Sequence, residues 1–299
     1  MWPPRCNDRQ QGRVKSGAAL RFEKWQALGN DYLIIQAEVL PWELSAPRIV
    51  RLCDPHLGVG ADGVLLLGRS DDPAFVATLR IFNPDGSEAE LSGNGSREAI
   101  MYLRARGYTD LDRFAILTAA GPITPTITGP TTCSVDIGHA ATVSKDYPSG
   151  PPDGIGELEA GGRTWGFRHV SIGNPQCAIA EPDLESLDLA AIGPAIENHP
   201  LFPNRTNVSW YRVLEAGLLR VRIYERGVGE TMSSGTGASG AAVAYHLAGG
   251  ESTVTVRLDG GELEVAIAPD LAVTLTGWAV PVYAGTLADE FVKELHETQ

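Results

Sequence analysis

Two short motifs, Ser92-Gly93-Asn94-Gly95 and Ser234-Gly235-Thr236-Gly237, carry the residue types in this sequence best suited to chemistry. Each ends a strand-like run and opens a segment with the pattern of a helix. A helix N-terminus leaves N–H groups unpaired and carries about half a positive charge. Glycine removes the side chain that would hold a ligand away from that backbone. Two such termini converging on one cleft would form an anion site suited to a carboxylate. They would also stabilise negative charge developing on that carboxylate, as an oxyanion hole does. Ser92 and Ser234 stand where a polar side chain would face the ligand from opposite sides. The simpler role for both is helix capping, which serine favours anyway.

The elements that must position these motifs repeat. IFNPDGSEAELSGNGSREAIMYL aligns with IYERGVGETMSSGTGASGAAVAY, so that Arg80, Glu88, Ser92, Gly93 and Gly95 each find the same residue 142 positions later. Upstream, Leu-Gly-Asn at 28–30 recurs as Ile-Gly-Asn at 172–174, a spacing of 144. This register over half the chain implies two copies of one fold facing each other, the paired motifs meeting in a shared cleft. In the first copy, RFEKWQALGNDYLIIQAE reads as two strands around a Gly-Asn-Asp turn. APRIVRLCD reads as a short helix; GVLLLGRS, FVATLRIFNP and FAILTAAG read as strands; SGNGSREAIMYLRARG reads as a capped helix ending at Gly107. After a Pro/Gly-rich stretch, YPSGPPDG, seven strand-like runs follow, from TWGFRHVSIG to LAVTLTG, with one glycine-opened helix, SGTGASGAAVAYHLAGG, among them. Strands dominate and each half has one obvious buried helix, which is an α+β pattern.

Composition excludes several classes of function. The chain has 299 residues and a formal net charge of −13 at pH 7, so it offers no electrostatic footprint for nucleic acid or anionic lipid. An apolar fraction of 43% supports a core. No run approaches the ~20 apolar residues of a membrane helix. Cysteines at 6, 53, 133 and 177 are too scattered for a disulfide framework or a zinc site. With no secretory signal, the expected compartment is the cytoplasm. Residues 1–20 read as a disordered extension. GVGADG at 58–63 fits G-x-G-x-x-G, but a helix precedes it and a strand follows, the reverse of a dinucleotide site. No G-x-S-x-G surrounds either serine, and the histidines form no ligand cluster.

GNDYLII, RIFNPDGSEAE-LSGNGSRE, SIGNPQ, NRTNVSW and ERGVGETMSSGTGAS resemble, in order and spacing, the motifs of the diaminopimelate epimerase family. The resemblance runs from about Arg21 to near Tyr283. It implies an α+β fold of two pseudo-symmetric mixed α/β domains with the active site in the cleft between them. The domains would comprise residues 21–137 plus 282–296, and 138–281. It also implies cofactor-independent conversion of LL-2,6-diaminopimelate to meso-diaminopimelate in lysine and peptidoglycan biosynthesis. No metal or cofactor is expected, nor a nucleic-acid or membrane partner; a homodimer is what the family suggests. Carried over residue by residue, Asn30, Asn83, Asn174, Asn207, Glu225 and Arg226 would hold the distal amino-acid end of the substrate. Gly93 with Asn94, and Gly235 with Thr236, would hold the carboxylate at the reacting carbon. Arg226 suits a planar, bidentate grip on a carboxylate.

The sequence departs from the family where proton transfer occurs. The family's two catalytic groups are cysteines, one thiolate removing the α-proton while the opposite thiol returns one. Here both positions, Ser92 and Ser234, are serine, and Gln176 stands where the family usually has histidine. A thiol with a pKa near ~8.5 forms a thiolate at modest cost. A serine hydroxyl is a weak base unless a neighbouring group activates it. The alternatives are a catalytically impaired diaminopimelate-binding homologue and a related amino-acid racemase or isomerase with another substrate.

Overall fold

A computed structural model describes residues 20–90 and 92–298, which divide into two compact units. The first runs to Cys133 and resumes at Trp278; the second is Ser134–Gly277. Residues 1–19, which make up nearly all of the expected extension, lie outside the described residues. Leu20 is buried, and its carbonyl accepts from the Leu287 N–H at 2.9 Å. The α-helices are α1 (Ala46–Cys53), α2 (Gly93–Ala105), α3 (Leu189–Glu197), α4 (Gly235–Leu247) and α5 (Asp289–Glu297). None of the described helices is long and apolar enough to cross a membrane.

In the first unit, strands Val280–Thr286, Arg21–Ala27, Asn30–Gln36, Val64–Gly68, Thr78–Phe82, Ile116–Thr118 and Gly121–Ile123 lie side by side in that order. Asn30–Gln36 runs parallel to Val64–Gly68, and Thr78–Phe82 parallel to Ile116–Thr118; the other neighbours are antiparallel. The central runs Leu33-Ile34-Ile35 and Val64–Leu67 are apolar without alternation because helices cover both faces. Leu33, Ile35, Val64 and Leu66 join a core with Ile49 and Leu52 of α1 and Leu295 of α5. Alternate residues point the other way. Leu65 lies under Gly95 of α2, and Trp25 meets Tyr102 of α2 edge-to-face at 6.0 Å.

The second unit repeats this topology. Strands Ile155–Ala160, Arg163–Ser171, Pro175–Ala180, Asn207–Glu215, Leu218–Glu225, Thr253–Leu258 and Gly261–Ile267 follow the same order, with parallel pairs at the same two places. Ala272–Trp278 and Thr132–His139 extend that sheet. The repeat reaches side chains. Arg80 grips Glu88 through two hydrogen bonds of 2.8 Å, and Arg222 grips Glu230 at 2.6 and 3.2 Å. Gly29 and Gly173 share a φ of +81°. The fold is therefore α+β, two pseudo-symmetric mixed α/β units, as the internal repeat implies. In α4, small residues let the helix lie close to its sheet. A Cβ on Gly240 would stand 2.8 Å from Gln176 Cβ, and one on Gly237 would stand 2.8 Å from Ile223 Cδ1.

Two local expectations change. The first hairpin turns at Leu28-Gly29, whose φ values of +53° and +81° suit a two-residue loop, so Asn30 and Asp31 begin the next strand rather than forming the turn. Each unit also has more than one packed helix. The α3 segment LAAIGPAIE contains Gly193 and Pro194 yet folds as a helix, capped by Asp188 and buried through Leu189 and Ile196. The glycine-rich segment at 58–63, with a helix before it and a strand after it as expected, closes the end of α1. Gly58, Val59, Gly60 and Ala61 donate N–H bonds to its last carbonyls and that of Asp54, and a Cβ on Gly58 would lie 2.1 Å from the Arg51 oxygen.

Candidate active site

Ser92 and Ser234 are both helix N-caps with extended backbones, at φ −134° and −145°. Ser92 Oγ accepts from the Gly95 N–H at 3.1 Å, and Ser234 Oγ from the Gly237 N–H at 3.2 Å. Capping fixes each hydroxyl at the first turn of a buried helix, beside N–H groups that have no helical partner. Both serines thus fill the capping role expected of them.

The surroundings of the two hydroxyls differ. Ser234, 5% exposed, donates to Glu225 Oε2 at 3.0 Å. Thr231 Oγ1 donates to the other oxygen of that carboxylate at 2.8 Å. Burial raises the Glu225 carboxyl above its ordinary pKa, and the Thr231 and Ser234 hydrogen bonds oppose the shift. A carboxylate so placed is a stronger proton acceptor than an exposed glutamate, and it touches the Ser234 hydroxyl directly. Ser92 has instead the Tyr32 phenol, which donates to its Oγ at 3.3 Å. Burial pushes the Tyr32 hydroxyl up to about 12, so it stays neutral and keeps its proton.

The remaining residues carried over from the family fall into small clusters within each unit. In the second, Asn174 Nδ2 donates to Thr236 Oγ1 at 3.2 Å, and Gln176 Nε2 holds Asn174 Oδ1 at 2.7 Å. Buried Asn207 accepts the Arg226 N–H at 2.8 Å and donates to the Pro175 carbonyl at 3.2 Å. The Arg226 guanidinium donates to the Asn204 carbonyl at 3.1 Å, and among the described residues it forms no ion pair. Gly235 carries no free space: an added Cβ would meet Leu275 Cδ2 at 2.9 Å. In the first unit, Asn94 Oδ1 accepts from Arg97 Nη1 at 3.0 Å, and a Cβ on Gly93 would meet nothing within 4 Å. The fold itself does not demand a glycine at 93, which leaves that backbone open to a ligand. Asn30 is turned to Asp62 at 3.1 Å, and Asn83 to Ser87 at 2.9 Å, so neither touches the Ser92 cluster through these bonds.

Tyr32 escaped the sequence reading. The available signal was its place two residues after Asn30, on the same face of one strand. The family resemblance assigns Glu225 to the distal end of the substrate; its carboxylate also accepts the Ser234 hydroxyl.

The family model described as diaminopimelate epimerase matches residues 22–143 and 168–282. The diaminopimelate epimerase of Synechococcus sp. strain JA-3-3Ab is 40% identical over 282 residues, covering 90% of this chain and 99% of that protein. That of Synechococcus elongatus is 39% identical over 277 residues, covering 90% and 98%. Among solved structures, a Bacillus anthracis phenazine biosynthesis protein of the PhzF family superposes with a TM-score of 0.64 at 18% identity, over 91% of this chain and 100% of that one. At that identity the likeness is one of fold.

Proposed function

Because the chain belongs to the diaminopimelate epimerase family, we propose that it inverts the α-carbon of LL-diaminopimelate to give the meso form, without a cofactor, in lysine and peptidoglycan biosynthesis. The observation that carries the proposal is the hydrogen bond from Ser234 to the half-buried Glu225 carboxylate, which supplies the base a serine needs. In this reading Ser92 and Ser234 would take opposite faces of the α-carbon. The α-proton passes to Ser234 Oγ as the serine proton passes to Glu225 Oε2. Ser92 gives its proton to the carbanion from the other face, inverting the centre, and solvent restores the starting protonation. The N–H groups of Gly93, Asn94, Gly235 and Thr236 would hold the α-carboxylate and the negative charge that spreads onto it during proton abstraction. Asn30, Asn83, Asn174, Asn207 and Arg226 would hold the distal end.

The second reading is a binding protein that captures diaminopimelate without exchanging a proton, favoured by the absence of a thiol at both catalytic positions. One experiment separates them. In D2O the epimerase places deuterium at the α-carbon as it inverts LL-diaminopimelate, with nothing else added. Restoring cysteine by Ser92→Cys and Ser234→Cys together raises the rate, more than either alone, since groups that act as a unit do not contribute additively. Tight binding with no deuterium uptake, before and after both substitutions, leaves the binding protein.

A further inference from the structure

The repeat also relates the neighbours of the two serines. With Leu28-Gly29-Asn30 set against Ile172-Gly173-Asn174, Tyr32 is the counterpart of Gln176; with Ser92 set against Ser234, Asn83 is the counterpart of Glu225. The second unit thus offers its serine a carboxylate. The first has an amide at that position, turned to Ser87, and offers a phenol from the neighbouring strand instead.

Tyr32 is 5% exposed and its ring is clamped. A Cβ on Gly63 would stand 2.5 Å from its Cε1, and one on Gly95 would stand 3.3 Å from its Cε2. Only glycines fit against the ring, so the direction of its hydroxyl is set by packing. A serine oxygen has two acceptor lone pairs and one proton to give. At Ser92 the acceptor positions receive the Tyr32 O–H and the Gly95 N–H, which leaves the serine's own proton pointing elsewhere. At Ser234 the proton is already directed to Glu225. We propose that Tyr32 is a positioning residue that holds Ser92 as the proton donor of the pair and stabilises the alkoxide left when it has donated, so that the two serines have fixed, unequal roles. This rests on the epimerase reading. The proton leaves Ser92 Oγ for the α-carbon, and the oxygen left behind keeps two donors, Tyr32 O–H and Gly95 N–H, until solvent reprotonates it. The phenol stays in its neutral, donating form because burial raises its pKa to about 12.

The test reads the hydrogen bond without requiring turnover. A thiol placed by Ser92→Cys is titrated through the pH dependence of its alkylation by iodoacetamide, with and without Tyr32→Phe, after subtraction of the parent protein. The buried thiols of Cys53, Cys133 and Cys177 contribute little, since burial raises the pKa of each, to about 12 for Cys53 and about 11 for Cys133. A donor to the thiolate lowers its pKa, so loss of the phenol should raise the midpoint by about one unit, leaving roughly tenfold less thiolate at neutral pH. Tyr32→Met repeats the comparison if the phenylalanine variant does not fold. In the unmodified site, Tyr32→Phe should lower kcat while KM for diaminopimelate stays put. An unshifted midpoint overturns the role of Tyr32 whatever the activity. A shifted midpoint in a protein that takes up no deuterium, with serines or with cysteines, overturns the epimerase reading and leaves the hydrogen bond standing.

Discussion

Replacing Glu98 with methionine should stabilise the protein at neutral pH. Glu98 lies on α2 with no exposed surface, and among the described residues neither carboxyl oxygen has a partner in hydrogen-bond geometry. Burial first, and the negative charge of Asp31 second, push its pKa well above the ordinary carboxylate range, while Arg97 and the misaligned Tyr32 backbone N–H oppose them. Arg97 turns its guanidinium to Asn94, not to its sequence neighbour. The carboxyl is therefore biased towards its neutral form, and a buried polar group without a partner costs about 1–3 kcal/mol. Methionine has similar length and no polar oxygen, so Glu98→Met should recover most of that amount. At about 2–4 °C per kcal/mol for a protein part of this size, the melting temperature should rise by roughly 2–10 °C. The pH dependence gives a second signature. Because the folded pKa is raised, the contribution of Glu98 is fully present below its unfolded pKa near ~4.3 and is lost as pH rises through the folded value. Melting curves from about pH 5 to about pH 8 should show that decline in the parent and not in Glu98→Met or Glu98→Gln. The opposite reasoning makes Glu98 an ionised partner of Arg97. Breaking such a buried pair costs about 3–5 kcal/mol, and a Glu98→Met variant destabilised by that much would refute the neutral-acid account.

Glu225→Gln should lower kcat by about 10²–10⁴-fold, the usual contribution of a positioned general base. In the parent the rate should climb with pH through a limb lying above the ordinary carboxylate range, because burial raises Glu225 and the base works only once deprotonated; steady-state profiles of the variant should lack that limb. Gly93→Ala meets no atom of the protein, so melting should move by less than about 0.5 kcal/mol while calorimetric affinity for diaminopimelate drops. Equal affinity would show that no ligand approaches that backbone. Arg226→Ala should weaken binding by about 2–5 kcal/mol, and unchanged affinity would remove Arg226 from the site.

The internal repeat was legible because its markers are backbone requirements that few residues meet. Glycines at positive φ and serines at helix N-termini recur at fixed spacing, and the strand order of the two units repeats with them. The strands themselves were legible from apolar runs such as VLLLG and TVTVRL. What stayed hidden depended on tertiary burial. In α3, Gly193 packs its bare backbone against the Tyr224 ring, a contact that overrides the breaker signal of Gly and Pro. The burial of Arg97 and Glu98 has no signal in the sequence, since charged residues are rarely buried, yet ten consecutive residues of α2 are. The Tyr32–Ser92 contact joins residues 60 apart, and no local pattern announces it.

The strand Val280–Thr286 pairs with Arg21–Ala27, and α5 closes the core beneath them, so the first unit is finished by a segment that follows the whole of the second unit in sequence. The second unit is continuous in sequence and can complete its sheet while the first still lacks an edge strand and a helix. Synthesis therefore reverses the order of the numbering: the part begun later is the part that can close earlier. Until Val280–Thr286 has been made, Arg21–Ala27 presents an unpaired edge, the kind of surface on which nascent chains associate wrongly. Loss of residues 280–297 would therefore strike a strand more than 250 residues upstream in sequence.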